Sequence, residues 1–256
     1  MLNFNDVLSY YPDKLRVFKE NILKEYLQYK ILDILYSTKY GRKLVFLGGT
    51  AIRIIHNSVR FSEDIDFDNL GLTGSDFKKI SDIIKTQLEL DGYNVEIKNV
   101  LKNAFHCYIR FPGILFQNEL SGQKREKILI QLDAEPQKFD YTPGKYLLNK
   151  FGLFRYLNVT PVNLLLSQKL CAILTRKKEK GRDFFDVVYL MPKTEPDFEF
   201  LKIRLNIGSM KELIARLKKK SENLDFKILA RDVEPFLFDP AQKDRILYFQ
   251  DWLNTL

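Results

Sequence analysis

The stretch FLGGTAIRIIHNSVRFSEDIDFDNL, residues 46–70, decides how this chain is read. An apolar run, KLVFL, ends on Gly48 and Gly49, and TAIRIIHNS follows with the spacing of a short helix. EDIDFDN then alternates. Asp64 and Asp66 share one face and Ile65 and Phe67 the other, as in a half-buried strand. Glycines closing a strand let the backbone approach a ligand, because no side chain intervenes. Thr50 adds a hydroxyl at the helix start, where free N–H groups attract phosphate. Carboxylates at alternate strand positions stand roughly 6–7 Å apart along the chain. Their oxygens can converge on one hard cation or two close ones; without a cation they repel. Each half of the pattern, taken alone, is also met by an ordinary turn and by a solvated acidic strand end.

On the N-terminal side, residues 13–37 place Leu15, Phe18, Ile22, Tyr26, Ile31 and Leu35 at helical spacing. On the C-terminal side, GSDFKKISDIIKTQLELDG reads as a helix with Ser75 as cap and Gly92 as stop. YNVEIKNV, AFHCYIRFP and KILIQLDAE read as three strands. In the last of these, Leu129, Gln131 and Asp133 oppose Ile128, Ile130 and Leu132. Asp133 follows an apolar strand, as a residue at the edge of a cleft would, and Glu135 on the same face is the alternative. After about residue 150 the pattern turns helical. TPVNLLLSQKLCAILTR opens with Thr160 as cap and Pro161 at the first helical position, and RDFFDVVYLM, SMKELIARLKKK and AQKDRILYFQDWLNTL follow. Two regions are expected, 1–150 and 151–256.

The 256 residues are 45% hydrophobic and 29% charged, as in a globular protein, and carry a net charge of +8. That excess favours an anionic partner such as a nucleotide or RNA. The Lys-rich patches at 176–182 and 218–220 suit such an anion, or simply solubility. No window has the run of apolar residues that a membrane span needs. The N-terminus lacks the pattern of a secretory signal, so a cytoplasmic protein without membrane attachment is expected. Cys107, Cys171, His56 and His106 are scattered, which supports neither a disulfide framework nor a zinc site, and they read as filler.

The order Gly-Gly-Thr, short helix, Asp-x-Asp resembles the polymerase-β-like nucleotidyltransferases. The fuller string GGTAIRIIHNSVRFSEDIDF resembles one branch, the AbiEii/AbiGii-type nucleotidyltransferase toxins. Arg60, Phe61, Ser62 and Glu63 match that branch; Ile52 replaces its usual leucine and Asn57 a frequent glycine. QKLCAILTRKKEKGRDFFDVVYLM is similar to its second motif through Lys169, Ala172, Arg176, Arg182, Asp183 and Asp186, with Val187 in place of leucine.

This resemblance implies an α+β fold: a polymerase-β-like core, with a mixed sheet flanked by helices, and a C-terminal helical region. It implies a toxin that moves a nucleotide from a nucleoside triphosphate, with Mg²⁺ or Mn²⁺ as cofactor. Asp64 and Asp66 would hold the metal. Gly48, Gly49 and Thr50 would cradle the triphosphate, and Lys169, with Arg60, would neutralise its charge. Asp186 is implied as a further site residue. Asp133 would complete the metal shell or accept the proton of the attacking hydroxyl. Ser62, two residues before Asp64, would touch phosphate, tie the turn or serve as a modification point. The implied acceptor is RNA, notably a tRNA 3′ end, and the implied protein partner is an antitoxin. A protein or small-molecule hydroxyl as acceptor, and a non-catalytic nucleotide- or RNA-binding relative, are the alternatives.

Overall fold

The computed structural model describes residues 2–102 and 104–256 and divides into two compact units. The first is Met1–Ala51 with Ser62–Val159; the second is Ile52–Phe61 with Thr160–Leu256.

In chain order the first unit carries α1 (Phe4–Ser9), α2 (Lys19–Ser37), β1 (Leu44–Leu47) and the start of α3 (Gly48–His56). β2 (Ile65–Asn69), α4 (Gly74–Leu90), β3 (Glu96–Leu101), β4 (Phe105–Pro112), α5 (Ile114–Gln117), β5 (Lys127–Glu135), β6 (Gly144–Lys150) and β7 (Leu153–Val159) follow. The strands form one seven-stranded mixed sheet in the order β3-β4-β5-β2-β1-β7-β6. β2 runs parallel to β5 and β1 to β7; the other neighbours are antiparallel. This is the α+β core that the sequence implied.

β1 is buried at all four residues, so it reads as a continuous apolar run. β4 and β5 alternate instead. Cys107, Ile109 and Phe111 are buried with Ile128, Ile130, Leu132 and Ala134, leaving His106, Tyr108, Gln131 and Asp133 on the opposite, polar face. Burial pushes the Cys107 thiol up to about 11, so it behaves as a small apolar core residue. α4 turns Phe77, Ile80, Ile84 and Leu88 inward at helical spacing.

Several local expectations are corrected. The cap of α4 is Thr73, not Ser75. Thr73 forms a capping box with Asp76 (3.1 and 3.3 Å), while Ser75 already lies inside the first turn. Residues 13–37 are not one helix: a 3₁₀ turn at Asp13–Leu15 precedes α2. β6 and β7 form a hairpin that local sequence pattern does not announce.

The second unit is helical. It contains α6 (Val162–Thr175), α7 (Gly181–Leu190), α8 (Phe198–Leu205), α9 (Met210–Ser221), α10 (Phe226–Val233), α11 (Asp244–Leu247) and α12 (Phe249–Leu253). Phe184 anchors its core edge-on to Phe249 and Phe226 (centroids 5.0 and 5.8 Å). α6 begins at Val162 with Pro161, not Thr160, in the cap position. The C-terminal stretch breaks into a 3₁₀ turn and two short helices rather than one amphipathic helix. The segment that includes Arg60 is held by backbone bonds: Phe61 N donates to Phe236 O (2.8 Å) and Phe238 N to Val59 O (3.1 Å).

Candidate active site

In the first unit, registered pairing sets His106, Asp133, Asp66 and Leu47 side by side across β4, β5, β2 and β1. Registered partners on neighbouring strands point to the same face and lie about 5 Å apart. Asp66 and Asp133 are therefore adjacent carboxylates on one face, although 67 residues separate them in sequence (133 − 66). Glu135 pairs with Asp68 instead and is exposed. Asp68 belongs elsewhere: it is buried, accepting from Gln137 N and Tyr141 Oη (2.8 Å each).

β1 ends beside Asp66, and there the chain turns into α3. Gly48 has φ +79°, and a Cβ added to it would stand 2.1 Å from Asp66 Oδ2. Glycine is thus required twice, by backbone conformation and by the carboxylate that leans over it. The two glycines open α3 instead of closing β1, so the first-turn N–H groups start directly at the bend. Thr50 is fully buried, and its hydroxyl donates to the carbonyl of Asp64. It ties the bend to the acidic segment from inside. Asp64 lies one residue before β2. Ser62 is part-exposed, and its carbonyl, with that of Glu63, accepts from Gln28 Nε2 (2.9 Å each) on α2.

Asp133 has partners of its own. His106 Nδ1 lies 2.8 Å from its Oδ1, and Gln131 Nε2 lies 2.9 Å from both its oxygens. Both side chains are about a third exposed, His106 at 32% and Asp133 at 28%. His106 is therefore not filler: it holds a candidate site carboxylate.

The remaining candidates meet in the second unit. Arg60 grips Asp186 with two bonds, Nε to Oδ1 at 2.8 Å and Nη2 to Oδ2 at 2.6 Å, and its Nη1 donates to Phe61 O (2.9 Å). Lys169 Nζ lies 2.9 Å from Asp186 Oδ2 and 3.0 Å from Asp183 Oδ1. Arg176 Nη1 lies 2.9 Å from Asp183 Oδ2, an ion pair whose angle falls short of a hydrogen bond. Asp186 is completely buried. Burial alone would push its carboxyl up, yet Arg60 and Lys169 together hold it below the ordinary carboxylate range. Burial opposes the charge on Lys169 as well, but Asp186 and Asp183 outweigh it and raise the ammonium.

The model of the family described as nucleotidyl transferase AbiEii toxin, type IV TA system, matches residues 30–252. The chain belongs to this family. Two solved structures share its fold: JHP933 from Helicobacter pylori (18% identity, TM-score 0.56, covering 92% of this chain and 91% of the other) and an H. pylori protein described as a candidate nucleotidyltransferase (18% identity, TM-score 0.58, 92% and 94%). No curated protein matches. Family membership makes the chain a nucleotidyltransferase of the toxin half of type IV toxin–antitoxin systems, which implies an antitoxin partner. The non-catalytic alternative is thereby set aside. Among the described residues, no helix is long and apolar enough to cross a membrane.

Among the described residues, no three His, Cys, Asp or Glu side chains gather closely enough to hold a metal by themselves. The adjacent pair Asp66 and Asp133 supplies hard oxygen donors only. Mg²⁺ typically takes one or two carboxylates and completes its octahedron with water and substrate phosphates. The donor set fits a metal that arrives with its nucleotide.

Proposed function

We propose that this family member is metal-dependent and transfers a nucleotide from a nucleoside triphosphate to an RNA hydroxyl, such as a tRNA 3′ end, in the cytoplasm. The observation that carries the reading is the juxtaposition of Gly48, just past the end of β1, with Asp66 on β2 and Asp133 on β5. The bend at Gly48–Gly49 receives the triphosphate on backbone N–H groups. Asp66, Asp133 and Asp64 would hold Mg²⁺, which when bound offsets charge developing on the phosphates. Asp133, steadied by His106 and Gln131, is the group placed to take the proton of the acceptor hydroxyl. The acceptor oxygen bonds to the α-phosphorus, the α–β bridging bond breaks, and pyrophosphate leaves.

Thr50 acts by position, joining the bend to Asp64. Ser62 takes a phosphate oxygen or keeps the turn in shape. Lys169 is assigned to neutralising phosphate charge. Asp186 holds that ammonium in place and is itself held by Arg60, whose side chain, among the described residues, bonds to Asp186 and to Phe61 O.

The test is incubation with each labelled nucleoside triphosphate, Mg²⁺ and total host RNA. Label on RNA, lost in Asp66→Asn, is the expected result. Metal-dependent label on protein or a small molecule alone would overturn the RNA acceptor. Transfer undiminished in Asp66→Asn would overturn the site.

A further inference from the structure

Two lysine-rich runs that the active site leaves unused come together in the second unit. α9 buries Leu213 and Leu217 and carries Arg216, Lys219 and Lys220 on another face, three and four residues apart. Lys220 Nζ reaches the connection between α6 and α7, 2.5 Å from Glu179 Oε1 and 3.5 Å from Arg176 O. That tie brings exposed Lys177, Lys178 and Lys180 alongside α9. The result is a concavity of about 680 Å³ lined by Arg216, Lys219, Lys220, Leu174, Leu224 and one acid, Glu179, which is engaged by Lys220. Across Asn223 and Leu224 it continues into a second, of about 760 Å³, lined by Phe226, Lys227, Leu247 and Tyr248. Each is of nucleotide-accommodating size (about 300–1,000 Å³).

Among the described residues, Arg216, Lys219, Lys177, Lys178 and Lys227 have no ion-pair partner. Like charges three and four apart on a helix oppose its formation, so this face carries a cost that a polyanion would remove. The one acid in the second concavity, Asp225, is engaged as the cap of α10, accepting from Lys227 N and Ile228 N (2.9 and 3.2 Å). Tyr248, 59% exposed, offers a flat ring beside the cations. A cationic groove with an adjacent open aromatic is the arrangement that binds single-stranded nucleic acid: phosphates follow the cations and a base stacks on the ring. An acidic protein surface would use the cations and leave the ring idle.

We propose that this double groove holds a single-stranded segment of the RNA acceptor, with phosphates along Arg216, Lys219 and Lys220 and a base against Tyr248. The inference rests on the RNA-acceptor reading above. It is tested on the full chain by fluorescence anisotropy with a labelled single-stranded RNA of about a dozen nucleotides, in EDTA, without nucleotide, across a salt series. Far-UV melts check that each variant folds. R216Q/K219Q should weaken binding and lower the slope of log K against log salt by about 1.4, from two contacts at about 0.7 each. Y248A should weaken binding roughly tenfold with its slope unchanged, and Y248W should restore it. If wild type binds RNA and neither variant differs from it, the groove is overturned while the RNA reading stands. If wild type binds no RNA, both fall. A polyglutamate peptide of equal charge that displaces the RNA equally well, with Y248A silent, overturns the proposal in favour of an acidic protein partner.

Discussion

Asp66 and Asp133 sit side by side on the polar face of the first unit's sheet, with a histidine, a glutamine and open surface around Asp133. Asp186, in the second unit, has no exposure at all and is closed in by Arg60 and Lys169. Both places gather carboxylates, but the balance of charge differs. Two carboxylates set side by side in partial contact with water create a demand for positive charge, which a metal, a proton or a substrate can help to meet. A buried acid with two cations has that demand met within the fold, and removing any member leaves a bare charge in low dielectric. The first arrangement suits chemistry; the second fixes the conformation in which the Lys169 ammonium is held.

This contrast breaks most sharply on Asp66. Asp66→Asn, which keeps the size and shape of the side chain, should lower kcat for label transfer by about 10³-fold or more with little change in melting temperature. A melting loss as large as that of Asp186→Asn would erase the distinction. Arg60→Gln should destabilise the protein by about 3–5 kcal/mol in urea unfolding, the cost of stranding a buried carboxylate. Replacing both partners by apolar residues, Arg60→Met with Asp186→Leu, should recover much of that loss. A smaller effect is expected from His106→Ala. Loss of an outer partner should reduce activity or Mg²⁺ affinity about 10–100-fold without changing the melt, and His106→Asn, which restores a donor, should recover part of it.

The gentlest probe is pH. The Asp186 carboxyl is held below its unfolded value, so its stabilisation is present above about pH 4 and is lost as pH falls through the folded value. The Lys169 ammonium is raised, so its stabilisation is complete below about pH 10 and is lost as pH climbs through the folded value. Melting temperature should therefore hold its plateau between those limits, and the apolar double variant should lose less at the acid edge than wild type.

Much of this architecture is visible in local pattern. Alternation in KILIQLDAE and the glycines before TAIRIIHNS foretell a polar sheet face and a bare bend, and both are present. The β6–β7 hairpin was hidden for a specific reason. Its two-residue turn is Phe151-Gly152, with φ +59° and +75°, where asparagine-glycine is the usual signal. Phe151 tolerates that conformation because Tyr10, Tyr26 and Tyr29 surround its ring at 4.9–5.1 Å. No scan of neighbouring residues reveals such a cage. The roles of His106, Gln131 and Gln28 were hidden likewise, since each matters only through a residue distant in sequence or through its strand's facing.

The sequence by itself determined the kinds of chemistry: a side-chain-free bend, acidic residues at alternate positions, and a basic helical region. Those follow from short-range periodicity and from what each side chain is. Only the tertiary structure decided that Asp133 stands beside Asp66 with His106 next to it, and that Arg60 and Lys169 face Asp186 in the dark. Strand register between distant segments is set by which apolar faces must be buried together. The ionisation of a buried group depends on the neighbours that folding brings to it.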